Sequence, residues 1–227
     1  MRRIISILLL GIVALGIILS ISKIPFGIPK SKVGKFYIDN GVKETGATNI
    51  VTSVVVNYRG FDTLGEVTIL FIAALGLGAV LSTRKNKVER KIEPASLILR
   101  TGCRFLFPLI LLFGTYIFIH GHLTPGGGFQ GGAIIASAFL LIYLGCRERR
   151  ISERGTKLIE SLGGLIFVVV GLAGLVISGY FLRNFLPKGI PNLLFSGGII
   201  PIIYIAIGFK VGSELAGIID NLMEESG

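Results

Sequence analysis

The chain has 227 residues, of which 52% are hydrophobic and only 16% are charged, and its mean hydropathy is +0.78. A soluble domain carries roughly a quarter charged residues, so this composition excludes the soluble classes and indicates a multi-pass protein of the cell membrane, in contact with the lipid bilayer. The net charge of +10 does not indicate nucleic-acid binding, because the basic residues cluster in loops between apolar runs, as the positive-inside rule predicts.

Two arginines precede the first apolar run, residues 4–22. This run is longer than the ~7–15 apolar residues of a signal peptide and no small-residue cleavage site follows it, so it predicts an uncleaved spanning helix with a cytoplasmic N-terminus. Residues 23–48 are polar and contain glycine and proline, which predicts an external loop. In residues 49–58 the apolar side chains share one helical face, which predicts a short external amphipathic helix.

Asp62 and Glu66 precede the next apolar run, residues 67–81. Fifteen residues reach only about 22 Å at 1.5 Å per residue, so a helix that spans ~30 Å must begin near Asp62 and carry Glu66 about one turn inside the membrane. The two carboxylates share a face, which suits a cation or proton path. The alternative is a solvated helix start, where carboxylates interact favourably with the helix dipole. The depth argument leaves both interpretations open for Glu66 and favours the solvated start for Asp62.

The rest of the chain alternates apolar runs with basic segments. Seven Lys/Arg in residues 83–104 and five in residues 147–157 predict cytoplasmic loops. Further apolar runs cover residues 105–119, 133–145, 158–182 and 193–219. We therefore expect an all-α integral membrane protein with about six transmembrane helices and both termini cytoplasmic. No internal repeat is found, which argues against a self-contained transporter built from inverted repeats.

A glycine-rich segment, residues 120–132, separates two apolar runs that are each shorter than the ~20 residues of a spanning helix. Either both helices extend into their polar flanks, or the segment descends into the membrane, where its backbone must be covered by protein or line a wet cavity. Because glycines allow close approach of another chain, we expect a partner to pack on this segment. The expected contact residues are Pro125, Gly126, Gly127, Gly128, Phe129, Gly131 and Gly132.

Two histidines begin the same segment. His120 and His122 are candidates for a proton relay, because imidazole titrates near neutral pH. Histidines at a helix end are more often caps at the membrane surface, and we favour that interpretation, while keeping His122 as a candidate ion-path residue.

Lys210 interrupts the last apolar run, and Glu214 follows it at helical spacing. This pair is a candidate for an ion path; the alternative is a lysine whose side chain extends to the inner membrane surface. Gly208, Gly212 and Ala216 form a row of small residues nearly opposite Lys210, which predicts close packing against a neighbouring helix.

The sequence contains no arrangement typical of a catalytic, metal-ligating or redox-cofactor site, so we expect no metal and no cofactor in this chain. Cys103 and Cys146 both end apolar runs beside basic residues, which predicts buried or interfacial thiols instead of a disulfide. Membership of a larger oxidoreductase complex stays open.

Several motifs resemble the Mrp family of multisubunit antiporters. Glu44-Thr45-Gly46, Asn49-Ile50-Val51 and the nine residues from Tyr58 to Glu66 resemble the C-terminal module of the large Mrp subunit, which is similar to a separate small subunit of archaeal membrane-bound hydrogenases. Arg100-Thr101, Phe107-Pro108, His120-Gly121-His122, residues 125–132 and residues 207–212 resemble the Mrp B subunit.

The resemblance implies two modules, residues 1–90 and 95–220, in a membrane subunit of a Na+/H+ antiporter module. Other membrane subunits would be its partners, and Na+ and H+ the transported ions. The complex would be either a stand-alone antiporter or an archaeal respiratory complex, such as a hydrogenase or a sulfur reductase. The candidate ion-path residues are Glu66, Asp62, Lys210, Glu214 and His122. The alternative is a purely structural assembly subunit without an ion-handling residue.

Overall fold

The computed structural model describes residues 2–23, 32–82, 95–146 and 152–226. Regular structure in these ranges is helical throughout, which confirms the predicted all-α membrane fold. The α-helices are α1 (Arg2–Ser22), α2 (Lys32–Thr45), α3 (Ile50–Thr52), α4 (Gly60–Ser82), α5 (Leu97–Ile119), α6 (Gly128–Gly145), α7 (Glu153–Ser178) and α8 (Ile200–Ser226), and a π-helical turn covers Ser53–Tyr58.

Five of the described helices, α4 to α8, are long and apolar enough to span a bilayer. The apolar stretch of α1 that meets the same hydropathy requirement, Ile7–Ser22, is shorter. The sixth span and the cytoplasmic positions of both termini therefore stay predictions. The chain divides into two compact units, residues 1–35 and 36–227. The first contains α1, and the second contains the remaining helices from Phe36 onward.

The prediction of a loop over residues 23–48 is wrong in part, because Lys32–Thr45 form α2. The prolines of this region, Pro25 and Pro29, precede the helix and lie outside the described residues. Two polar side chains also fit within it. Asn40 donates a hydrogen bond to the Phe36 carbonyl at 3.0 Å, and Thr45 donates to the Gly41 carbonyl at 2.7 Å. A polar composition alone therefore does not distinguish a loop from a polar helix, because helix propensities differ little among such residues.

The predicted amphipathic helix over residues 49–58 exists as one α-helical turn followed by the π-helical turn. Asn49 caps it, since its Oδ1 accepts hydrogen bonds from the amides of Val51 and Thr52 at 3.1 and 3.4 Å. The polar Thr52 and Ser53 are fully buried, whereas Val51 is 69% exposed. The polar face of this segment thus packs on the protein.

Three helix boundaries follow from length and backbone geometry. Helix α4 begins at Gly60, as expected from the shortness of its apolar run, and α5 extends into its basic flank as far as Leu97. Helix α8 begins at Ile200 instead of the predicted residue 193, because Gly197 and Gly198 have positive φ angles of 83° and 59° and turn the chain.

Helix α8 contacts α4, α5, α6 and α7 and is the central helix of the second unit; α6 packs between α5 and α8. Half of the α6 span is buried, compared with 6% of the α4 span. Glycines bring the helices together: a Cβ atom added at Gly131 would lie 2.7 Å from the Gly114 carbonyl oxygen of α5. A Cβ atom at Gly132 would lie 2.9 Å from the Gly208 carbonyl oxygen of α8. At the other end of α6, Cys103 and Cys146 are buried free thiols, as predicted.

Candidate ion-handling site

Lys210 lies within the membrane span of α8 and is only 7% exposed. Its Nζ donates a hydrogen bond of 2.9 Å to Oε2 of Glu214, one turn further along the helix. Glu214 is 3% exposed. The structure thus brings these two predicted residues together, with the ammonium group at a buried carboxylate instead of in solvent.

Glu160 of α7 completes this cluster, and the sequence reasoning missed it. Its Oε1 lies 3.8 Å from the Lys210 Nζ, and its side chain is 22% exposed. The Phe71 ring of α4 lies on another side of the ammonium, with 5.2 Å between Nζ and the ring centroid. Glu160 falls within an apolar span, and an ionisable residue in such a span is the signal that could have found it.

Helix α7 accommodates the lysine because it presents two glycines beside it. A Cβ atom at Gly163 would lie 3.0 Å from the Lys210 Cβ and 2.7 Å from the Ala206 carbonyl oxygen. A Cβ atom at Gly164 would lie 3.7 Å from both Cδ and Cε of Lys210. The aliphatic part of Lys210 therefore follows a glycine groove on α7 that leads toward the carboxylates.

The cluster has one ammonium group and two carboxylates, so its formal charge is negative when all three are ionised. Oε1 of Glu214 is buried and has no hydrogen-bond partner in the described part of the chain. Taking charges out of water costs several kcal/mol per ion, so an incompletely paired carboxylate here has a strong tendency to acquire a cation. Chemically, the second carboxylate of the cluster can take up and release a cation.

The small residues of α8 lie on the opposite side from this cluster. A Cβ atom at Gly208 would lie 2.5 Å from Cδ1 of Phe118 in α5, and one at Gly212 would lie 3.2 Å from Cγ2 of Ile135 in α6. Ala216 is fully buried. One face of α8 therefore packs tightly on α5 and α6, while the other presents Lys210.

The glycine-rich segment is covered largely by helices of its own chain. A Cβ atom at Gly126 would lie 2.8 Å from the Ile117 carbonyl oxygen of α5, and one at Gly128 would lie 2.7 Å from Cβ of Ile207 in α8. Thr124 and Pro125 are exposed. Contact between this segment and a neighbouring protein of the complex therefore stays a proposal, restricted to the exposed residues.

A polar junction joins this segment to α3 and α8. Asn49 donates from Nδ2 to the carbonyls of Gly121 and Thr124 at 2.9 and 3.0 Å, and its amide donates to the His122 carbonyl at 3.0 Å. Thr52 donates to the Gly121 carbonyl at 2.7 Å, and the Tyr204 hydroxyl donates to Thr52 Oγ1 at 2.9 Å. These bonds satisfy carbonyls that the irregular backbone leaves without partners.

The two histidines have different surroundings. His120 ends α5, stacks on Tyr116 with ring centroids 4.3 Å apart, and is partly exposed. His122 is fully buried, and neither ring nitrogen makes a well-aligned hydrogen bond to a described residue. Burial lowers the pKa of His122, although backbone groups of Leu193 and Leu194 oppose that effect.

Asp62 and Glu66 both lie on the exposed surface of α4. Asp62 forms an ion pair with Arg59, as suits the start of a helix. Glu66 has no hydrogen-bond or ion-pair partner among the residues that the structure describes. A compensating group for this carboxylate would therefore have to come from water, from headgroups or from a neighbouring protein of the complex.

Comparisons with known proteins match both parts of the chain. A family described as a domain related to the MnhB subunit of Na+/H+ antiporter matches residues 98–217, and a family described as the E subunit of MBH matches residues 1–95. Among curated proteins, the B subunit of the Na(+)/H(+) antiporter of Alkalihalophilus pseudofirmus is 37% identical over 100 residues, covering 42% of this chain and 69% of that protein.

Two solved structures resemble the whole chain. A chain of the membrane-bound sulfane sulfur reductase, described as an archaeal respiratory membrane complex, is 51% identical with a TM-score of 0.81, and the match covers 98% of both chains. A chain of the Mrp complex from Dietzia sp. is 29% identical with a TM-score of 0.75; the match covers 97% of this chain but only 26% of the Dietzia chain.

Proposed function

Because this chain belongs to the family of domains related to the MnhB subunit of Na+/H+ antiporters, we propose that its buried cluster of Glu160, Lys210 and Glu214 handles ions within the antiporter module. The resemblance to Mrp subunits is confirmed, and the chain is a multi-pass membrane subunit of such a module. The residues that carry ion exchange, however, are our proposal.

The observation that carries this proposal is an ammonium group buried between two carboxylates in the middle of a spanning helix. Ionisable residues inside a membrane are costly and usually mark ion or proton pathways. A chain that only held other subunits together would be served better by apolar residues, since replacing a buried ion pair by apolar groups is often neutral or stabilising.

A role in assembly is supported by a separate observation. Helix α4 is almost uncovered, and its exposed surface carries Glu66 inside the apolar span. We propose that neighbouring membrane subunits cover this surface and the exposed Thr124 and Pro125. The 51% identity to a chain of an archaeal respiratory complex favours a complex of that kind over a stand-alone antiporter.

Ion flux measured in inverted membrane vesicles tests the proposal, with the intact complex quantified by blotting. Glu160→Gln and Lys210→Ala should lower Na+-driven proton flux at normal complex abundance. Lys35→Ala is the matched control, because Lys35 is exposed and far from the α8 span in sequence. Normal flux in the Glu160 and Lys210 variants would contradict the proposal and favour a purely structural role for this chain.

A further inference from the structure

We propose that the cluster of Glu160, Lys210 and Glu214 binds a proton and not Na+, and that the proton is held on Oε1 of Glu214. This inference rests on the proposed function, since it identifies the ion of the same site. It goes further by naming the atom that takes the ion and the group that compensates its charge.

The charge balance of the cluster calls for one further cation. Glu160 faces the ammonium from α7, Glu214 faces it from α8, and α4 contributes only the uncharged ring of Phe71. Lys210 is the cation that the structure places at both carboxylates, with its Nζ 3.8 Å from Oε1 of Glu160 and 2.9 Å from Oε2 of Glu214. One ammonium therefore neutralises one of the two carboxylates, and the other must take up a proton or a metal cation.

Geometry assigns the uncompensated oxygen to Glu214. Its Oε2 already accepts the Lys210 hydrogen bond at 2.9 Å, whereas its Oε1 is buried without a partner. Glu160 is further from the ammonium, at 3.8 Å, and more exposed, so water can solvate its charge. A proton on Oε1 of Glu214 removes the more deeply buried of the two negative charges, the one that water solvates least.

The surroundings fit a proton better than Na+. A hard metal cation is held by a shell of several oxygen ligands. Here Oε1 of Glu214 is the one oxygen of the two carboxylates that is both buried and without a partner, and the Lys210 ammonium occupies the neighbouring Oε2. A metal cation at Oε1 would be repelled by that ammonium, whereas a proton needs one oxygen atom and converts the carboxylate into a neutral acid.

Proton uptake and release then shift the lysine between its two partners. A hydronium ion gives its proton to Oε1, leaving a water molecule and a neutral Glu214, and the Lys210 ammonium becomes the counter-ion of Glu160. Release of the proton to water restores the carboxylate and draws the ammonium back to Glu214. The glycine groove at Gly163 and Gly164 leaves the flexible lysine stem room for this movement.

Chemical labelling of the wild-type complex tests the assignment. Dicyclohexylcarbodiimide reacts with protonated carboxylic acids in apolar surroundings, by addition of the acid across one of its C=N bonds, and mass spectrometry locates the adduct. Glu214 should be labelled at low pH, and labelling should fall about tenfold per pH unit above its midpoint. Exchanging Na+ for choline at fixed pH should leave labelling unchanged. Protection of Glu214 by Na+, labelling at Glu160 alone, or no labelling at any pH would overturn the proposal.

Infrared difference spectra of the same complex give a second readout that needs no labelling reagent. Acidification should produce the C=O band of a carboxylic acid, which Glu214→Gln removes and Glu160→Gln retains. Asp39→Asn is the control, since Asp39 is an exposed carboxylate on α2. A band that disappears in Glu160→Gln but persists in Glu214→Gln would contradict the assignment.

The two proposals can fail separately. If flux depends on Lys210 and Na+ protects Glu214 from labelling, the cluster handles ions but the bound ion is Na+ instead of a proton. If labelling of Glu214 depends on pH but flux is normal in the Lys210 and Glu160 variants, Glu214 binds a proton and the cluster takes no part in transport.

Discussion

The Tyr204 hydroxyl of α8 donates a hydrogen bond of 2.9 Å to Oγ1 of Thr52, which lies 152 positions earlier in the chain. Thr52 in turn donates to the Gly121 carbonyl at 2.7 Å. One threonine hydroxyl thus joins residues matched to two different families, because Thr52 lies in the match to the MBH family and Tyr204 in the MnhB-related match. All three groups are buried.

Thr52→Val should destabilise the complex more than Tyr204→Phe. The valine leaves the Tyr204 hydroxyl buried without its partner, at about 1–3 kcal/mol, whereas the phenylalanine removes the donor at about 0.5–1.5 kcal/mol. The double variant should be no less stable than Thr52→Val alone. Thermal aggregation of the complex in detergent measures these differences. Thr68→Val is the control, since Thr68 is exposed and its hydroxyl bonds the Leu64 carbonyl within α4. An equal loss of stability in Thr68→Val would contradict a stabilising role for the Thr52–Tyr204 hydrogen bond.

Gly128→Ala should weaken the packing of α6 on α8. The new methyl group would meet Cβ and Cγ2 of Ile207 at 2.7 Å and the Tyr204 carbonyl oxygen at 2.9 Å, which forces the helices apart at a typical cost of about 1–3 kcal/mol. Gly102→Ala in α5 is the matched control, because nothing lies within 4 Å of its added Cβ. The same thermal assay should show a lower midpoint only for Gly128→Ala, and equal midpoints would argue against close packing at this glycine.

Glu66→Gln should leave the complex assembled but lower sodium-dependent exchange, because it preserves the shape of the side chain and removes the negative charge. Asp62→Asn should have a smaller effect, since Asp62 is exposed and already paired with Arg59. Na+-driven proton flux in inverted vesicles, corrected for complex abundance, distinguishes the two variants. Unchanged flux in Glu66→Gln would make this carboxylate part of a solvated helix start.

Acidification should destabilise the wild-type complex partly through His122. Burial lowers the pKa of His122 in the folded chain, so the unfolded chain binds the proton more readily. The stability due to the neutral imidazole is complete above the unfolded pKa of about 6.5 and is lost as the pH falls below it. His122→Gln should therefore flatten the decline of the thermal midpoint between about pH 7 and pH 5, while His120→Gln should not. Parallel declines in all three proteins would exclude His122 as the cause.

The apolar runs predict the spanning helices well, because transfer into the membrane depends on local hydropathy and length. Length arithmetic also places the start of α4 near Asp62, and the helix begins at Gly60. Contacts between distant residues are beyond this reasoning. Periodicity relates Lys210 to Glu214 on one helix but cannot show that Glu160, the third residue of another apolar run and close to its basic end, approaches the same ammonium.

The glycine-rich segment illustrates the same limit. Its composition correctly predicts close approach of other backbone, but not which chain supplies it, and much of the cover comes from α5 and α8. The amphipathic pattern of residues 49–58 likewise shows which side chains share a face but not what that face contacts. Its hydroxyls are buried because the partners they bond, the Gly121 carbonyl and Tyr204, lie far away in sequence.

Lys210 is the eleventh of the 24 residues in the α8 span, Ile200–Met223, and its ammonium bonds Glu214 one turn further along the same span. One elementary charge that crosses the whole membrane changes in energy by ~2.3 kcal/mol per 100 mV. A proton that reaches the cluster from one side of the membrane crosses part of that potential, and its energy changes by the same part of this value. Under the proton assignment proposed above, membrane voltage should therefore shift the proton occupancy of this cluster.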